Sequence, residues 1–336
     1  MGQARYRFTA WMTGLLFLII GILLISLNMG PVQISPGDVF QTFIGEGSAR
    51  EELVLFNFRL PGIVIAIFVG MALSLSGAIL QGVTKNGLAD PGILGINSGA
   101  GLVVVLYIFL FQSSMSSLSG WGIYLLPVSA LLGAFIAAAI IYALAWKKGV
   151  EPIRLILVGI GVNAGFGAGL ILFQVQMNPQ DFMQAMVWLS GDIWSANWHF
   201  VSAVVPGIIL LIIYALFKSS ALNVLNLGDD LAMGLGAPVE KERLILLVIA
   251  VGLAGLSVAA AGGIAFLGLV APHIARRVVG PKHQVMLPVS TLLGAAILLA
   301  ADTIGSNIIA PAEIPVGIVV TIVSTPYFVY LLMKTA

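Results

Sequence analysis

The stretch from Arg59 to Gly101 narrows the options for this chain more than any other. It runs through an apolar segment of about 20 residues, long enough for a helix to cross a bilayer core. A loop rich in Gly, Asn, Asp and Pro follows, and a second apolar segment starts almost at once. Asn86-Gly87 and Asp90-Pro91-Gly92 are helix breakers, and Gly95 and Gly99 lie four residues apart, on one face of a helix. Lipid offers no partner to irregular backbone, so such a loop has to be buried in protein. The expectation is a multi-helix membrane protein with a packed interior.

Composition agrees. Hydrophobic residues make up 60% and charged residues 9% of the 336 positions, and the mean hydropathy is +1.09. A water-soluble fold of this size could not carry that balance. The apolar runs are continuous and not alternating, which excludes a β-barrel. The fold class expected is all-α, polytopic, a single domain over residues 1–336. Net charge is +1, so nothing points to nucleic acid, and the absence of Cys rules out disulfides and thiolate metal sites. The N-terminal run lacks a small-residue cleavage site near Leu27 and reads as an uncleaved first helix.

Ten crossings are expected: Ala10 to Leu27, Leu60 to Leu80, Ile93 to Phe111, Gly122 to Trp146, Ile153 to Val175, Phe200 to Phe217, Leu244 to Ala261, Gly263 to Ala275, Val285 to Thr303, and Ile314 to Leu332. The eighth covers only about 20 Å, short of the hydrocarbon thickness, so it must tilt little, extend into the following Arg-Arg-Val-Val-Gly, or stop part-way. With the N-terminus inside, only Arg50 and Arg59 of the 15 Lys and Arg fall outside. That bias places both termini in the cytoplasm. Removing the eighth crossing would send Lys334 outside. The outer segments Asn28 to Phe58 and Met177 to His199 are long enough for surface helices, and the second carries Trp188, Trp194 and Trp198, suited to the membrane interface or to core packing. Arg59-Leu-Pro and Arg243-Leu-Ile open helices of opposite direction, as an inverted repeat would.

Several classes of chemistry find no residues. No P-loop is present, so the chain does not hydrolyse ATP by that route. His199, His273 and His283 are far apart and have no metal-ligand spacing. An ion-coupled secondary transporter would need acids within crossings, where only Asp302, at an outer helix end, and Asp90, in the inner turn, come near. An intramembrane enzyme would need paired carboxylates or His clusters there. In the fifth crossing Gly159, Gly161, Gly165, Gly167 and Gly169 alternate with apolar residues, and Gly161, Gly165 and Gly169 recur every fourth residue as a small-residue face with Asn163 beside it, either for close helix packing or for a smooth wall of a translocation path. The inner loop 218–242 reads as two short helices. Ser219 or Ser220 is expected to cap the first, Asp229 and Asp230 to start the second, and Gly236 and Pro238 to end it. Leu231, Met233 and Leu235 then seek either the bundle's inner end or a cytoplasmic partner.

These residues resemble a family. Arg59 to Pro61, Ser76 to Gly82, Asn86 to Gly95, Ser98 to Ala100, Leu227 to Gly236, Gly262 to His273, Ala301-Asp302 and Glu313 to Gly317 look like the permease subunits of ABC importers for ferric siderophores, haem and vitamin B12. The motifs span most of the chain in the family's order. The resemblance implies a multi-pass permease of the bacterial cytoplasmic membrane, without cofactor or catalytic residues, working with a second permease, two cytoplasmic ATPase subunits that bind ATP, and an extracytoplasmic binding protein. A ferric siderophore is the cargo expected, with haem or cobalamin as alternatives. Gly228, Asp229, Asp230, Leu231, Ala232, Leu235 and Gly236 would form the coupling helix that enters the ATPase. Arg59 would dock the binding protein, with Arg50 as a second contact. Further docking Arg residues of some relatives are here Gly62 and Ser306, which favours a heterodimer. The gate ahead of the fifth crossing, a small hydroxyl pair in relatives, is here Pro152 and Ile153, leading into a path along Gly159, Gly161, Asn163 and Gly165.

Overall fold

A computed structural model describes residues 2–30, 32–111, 122–147, 149, 151–193, 196–310 and 312–335, with side chains left out at 2–5, 122–124, 332, 334 and 335. Trp194 and Lys148 therefore lie outside the described residues. Among them the regular structure is helical: α1 (Gly2–Asn28), α2 (Pro36–Phe43), α3 (Ala49–Glu52), a π-helical segment Leu53–Arg59, α4 (Leu60–Thr84), α5 (Ile96–Phe111), α6 (Gly122–Ala145), α7 (Pro152–Gln174), α8 (Pro179–Leu189), α9 (Trp198–Phe217), α10 (Ser219–Leu225), α11 (Asp229–Gly234), α12 (Val239–Ala261), α13 (Leu267–Val279), α14 (His283–Gly305) and α15 (Val316–Thr335). Seven helices among the described residues are long and apolar enough to cross a membrane, and α5 and the apolar part of α15 are shorter.

Helix α4 is the axis of the bundle, packed by α12, α13 and α14. Burying Leu against Leu gains little where lipid is equally apolar, so close approach and interhelical hydrogen bonds must hold such helices together. The sequence supplies both. A Cβ at Gly77 would run into the Gly268 carbonyl of α13, and one at Gly70 into Gly294 of α14. Ser74 Oγ donates to the Ser290 carbonyl, and Ser76 Oγ to the Ala250 carbonyl of α12, each at 2.7 Å.

Two breaks depart from the expected helix ends. The third stretch was expected to turn helical at Ile93, but turns persist to Gly95, whose φ of +89° ends the irregular run, and α5 is left with 16 residues. The eighth stretch starts later than expected, at Leu267, because Gly262 and Phe266 both have φ of +66°. It then extends to Val279, through Arg276 and Arg277. Past the exposed Lys85 both breaks are buried or half-buried, and side chains bond part of their backbone. Asp90 Oδ1 accepts from Gly92 N at 2.8 Å, Asn86 Oδ1 from Leu88 N at 2.9 Å, Asn97 Nδ2 donates to Ile264 O at 3.0 Å, and Gln81 Nε2 to Gly268 O at 3.2 Å.

The two halves share a plan. In each, a long buried helix (α4, α12) leads into a glycine-containing break and then a short helix (α5, α13). The end of α4 lies beside the start of α12, since Lys85 and Arg243 both reach Asp229. The two helices therefore run antiparallel, as the Arg59 and Arg243 motifs had indicated.

Candidate functional site

The face expected to be the inner one is built around the loop between α9 and α12. Lys218, not Ser219 or Ser220, caps α10, without a side-chain hydrogen bond, because Ser219 is already the first helical residue and is buried. Gly228, at φ +105°, lets the chain turn into α11, and Gly236, at φ +80°, lets it leave. Asp229 and Asp230 stand in the first turn of α11, as expected. Ala232 is the face of α11 turned inward, fully buried, whereas Leu231, Met233 and Leu235 are 63%, 57% and 69% exposed. Packing on the bundle thus fails for these three side chains, and an apolar ridge is left standing in solvent.

Ion pairs brace this face, and the sequence alone did not point to them. Asp229 binds Lys85 Nζ at 3.1 Å and Arg243 Nη2 at 2.9 Å. Arg243 also donates to Glu240 at 2.6 Å, and Lys218 to Glu242 at 2.8 Å. Partial burial of Asp229 works to raise its pKa, but the hydrogen bonds from Arg243 and Lys85 outweigh it and hold the carboxyl below its ordinary value. The bond to Glu242 raises Lys218 above its own. Lys218, Glu240, Glu242 and Arg243 at least stand in one stretch of sequence, whereas Lys85 comes from a different loop.

On the opposite face a cavity of about 330 Å³ opens beside Arg59, with Gly62, Asp302, Ser306 and Glu313 in its wall. Arg59 is half-buried and already engaged: its guanidinium donates to the carbonyls of Leu27 and Val32, at and just beyond the end of α1. A cation suits those orphan carbonyls at a helix C-terminus. Arg50 is exposed on α3, a single turn fixed by a capping box between Ser48 and Glu51. One oxygen of Glu313 is buried without a hydrogen-bond partner. Burial first, then the charges of Asp302 and Asp192, push this carboxyl up to about 8.

Between the faces, α7 splits the glycines in two. Gly159 packs against Leu94, and Gly169 against Leu102. A Cβ on Gly161, Gly165 or Gly167 would meet nothing. Close packing is therefore seen at Gly159 and Gly169, and the remaining three glycines are left open within the chain. Asn163 backs onto Gly95, where a Cβ would come within 3.1 Å of the Asn163 nitrogen. Pro152 opens α7 and Ile153 follows it, 68% exposed. The Trp residues divide as well: half-buried Trp188 packs against a core cluster, and half-exposed Trp198 donates to the Phe56 carbonyl at 2.7 Å. His283 is held by Asn223 at 2.8 Å and His273 lies edge-on to Tyr327.

Residues 17–334 match the model of the FecCD transport family. The iron(3+)-hydroxamate import system permease protein FhuG of Bacillus subtilis is 58% identical over 317 residues, covering 94% of both chains. The iron-uptake system permease protein FeuC of the same organism is 42% identical over 319 residues, covering 94% of this chain and 95% of its own. Among solved structures, a metal-chelate-type ABC transporter in an inward-facing conformation matches with a TM-score of 0.83 and 29% identity, over 96% of this chain and 98% of that one.

Proposed function

The chain belongs to the FecCD transport family, and from that premise we propose that it carries an iron(III)-hydroxamate chelate across the membrane in an ATP-driven importer. It is a multi-pass permease of the cytoplasmic membrane. The observation that carries the cargo assignment is the 58% identity to a hydroxamate permease, against 42% to the next relative described. The test is complementation: the chain, expressed with its partners in cells lacking a hydroxamate permease, restores uptake of labelled iron(III) hydroxamate. Restored haem uptake without hydroxamate uptake would overturn the assignment.

The proposed mechanism follows from the two faces. The whole chain acts as one permease domain of ten crossings with both termini cytoplasmic; the seven long apolar helices, the shorter α5, α13 and α15 and the expected inside bias of Lys and Arg support this thread. Two ATPase subunits bind and hydrolyse ATP, and the permease contributes no cofactor or catalytic group. One ATPase receives the ridge of Leu231, Met233 and Leu235, while Gly228, Asp229, Asp230, Ala232 and Gly236 shape and seat α11 beneath it. A second permease faces α7, and the cargo passes along Gly161, Gly165 and Asn163, with Pro152 and Ile153 at the inner end and Gly159 fixing the helix to the loop behind it. A binding protein docks outside on Arg59 and Arg50. Gly62 and Ser306 add no charge to that surface, which favours a different second permease that does. Replacing Leu231 and Leu235 together with Asp should release the ATPase subunits on purification; a complex that keeps them would refute the role of α11.

A further inference from the structure

Helix α11 is a poor lever on its own. It has six residues, no side-chain cap, and a glycine with positive φ at each end. Of its residues only Ala232 is buried. A push on such an element would be absorbed at its glycine joints unless something stiffer carried it onward.

The ion pairs supply that element. Asp229 accepts from Arg243 Nη2 with both carboxylate oxygens, at 2.9 and 3.0 Å, and from Lys85 at 3.1 Å. Lys85 is the left-handed C-cap of α4. Arg243 lies in α12, its side chain only 3% exposed and anchored by Glu240 one turn earlier. One guanidinium nitrogen shared by both oxygens of Asp229, with Nη1 held by Glu240, makes a charge-assisted contact stronger than a neutral hydrogen bond and fixes the guanidinium between two acids. The two helices reached are the buried antiparallel pair of the core, joined again deeper in by the bond from Ser76 to Ala250.

We propose that Asp229 is the positioning residue that ties the coupling helix to α4 and α12, so that displacement of α11 moves both core helices as one. The proposal rests on the assignment of α11 as the ATPase contact. Contact and transmission are then separate jobs of one short helix: Leu231 and Leu235 hold the motor, and Asp229 passes its motion on.

The test uses the assembled transporter in liposomes, with labelled iron(III) hydroxamate delivered by its binding protein, and reads cargo moved per ATP hydrolysed. Asp229→Asn should lower that ratio roughly five- to tenfold, the scale of an ordinary coupling between sites, with the ATPase subunits still present in the complex. Lys85→Gln should lower it less, and the double variant should fall no further than Asp229→Asn alone, since both remove one link. Asp229→Glu should recover part of the ratio. An unchanged ratio in Asp229→Asn, or effects of the two sites that multiply, would overturn the proposal. Loss of the ATPase from Asp229→Asn would overturn it too, because the carboxylate would then belong to the contact. Failure of the contact assignment itself shows elsewhere, as ATPase retained by the Leu231 and Leu235 double variant.

Discussion

Helices α4 and α7 are alike in composition, both long, apolar and marked by glycines, yet 78% of the apolar window of α4 is buried and only 11% of that of α7. In α4 each close-packing glycine has its counterpart within the chain, Gly77 on Gly268 and Gly70 on Gly294. In α7, Gly161, Gly165 and Gly167 have none. A small-residue face lowers the cost of close approach only when something approaches. The contrast therefore separates what this chain completes by itself from what it leaves for a neighbour or for the cargo.

The sharpest way to break that contrast is to fill one glycine on each helix. Gly77→Leu should destroy the fold, because the side chain would collide with α13 backbone that has no room to move; overpacking of this kind costs about 1–3 kcal/mol even where side chains can give. The readout is the amount of folded permease recovered from membranes. Gly165→Leu should leave that amount unchanged and abolish assembly with the second permease or transport. Equal loss of folded protein in both variants would erase the distinction.

Charges on the two faces extend the comparison. On the α11 face, Asp229 is paired within the chain. On the opposite face, Arg59 serves the end of α1 and, in the proposed role, a partner as well. Arg59→Glu should weaken capture of the binding protein roughly tenfold, about 1.4 kcal/mol, and also loosen α1. Arg59→Lys separates the two effects, keeping the charge while losing the fork that spans Leu27 and Val32. Undiminished capture in Arg59→Glu would remove Arg59 from the docking surface.

The smallest expected effect is a pH slope. Glu313, with its pKa pushed up to about 8 from an ordinary value near 4.5, binds more protons folded than unfolded between those limits. Its contribution to stability is complete at the acid end of that window and is lost as pH rises through about 8. The midpoint of thermal unfolding should thus decline across the window in the parent and decline less in Glu313→Gln. Identical slopes would show that this carboxyl does not titrate there.

Much of this arrangement was legible in the sequence. Length and hydropathy placed the apolar helices, seven of which among the described residues are long enough to cross a membrane, and the loop before α12 was read as two short helices, with the fate of its apolar residues left open. The ends of α5 and α13 were not legible, because they depend on left-handed residues, Gly95 and Phe266, stabilised by tertiary contacts. The ion pairs could not be read either: Lys85 and Asp229 are 144 positions apart, and only the antiparallel packing of α4 and α12 brings them together. Arg59 stood out as an external cation, but its hold on the Leu27 and Val32 carbonyls depends on how the chain turns after α1.

The central claim is that α11 faces the cytoplasm while the start of α4 faces outward, so that one chain links a motor to a receptor. The chain lacks Cys, so a single thiol reports cleanly. Asn57 and Asp230 are both exposed. In intact cells stripped of their outer barrier, an impermeant thiol reagent should label Asn57→Cys and spare Asp230→Cys, and in inverted vesicles washed free of ATPase the pattern should reverse. Labelling of Asp230→Cys from outside would contradict the account.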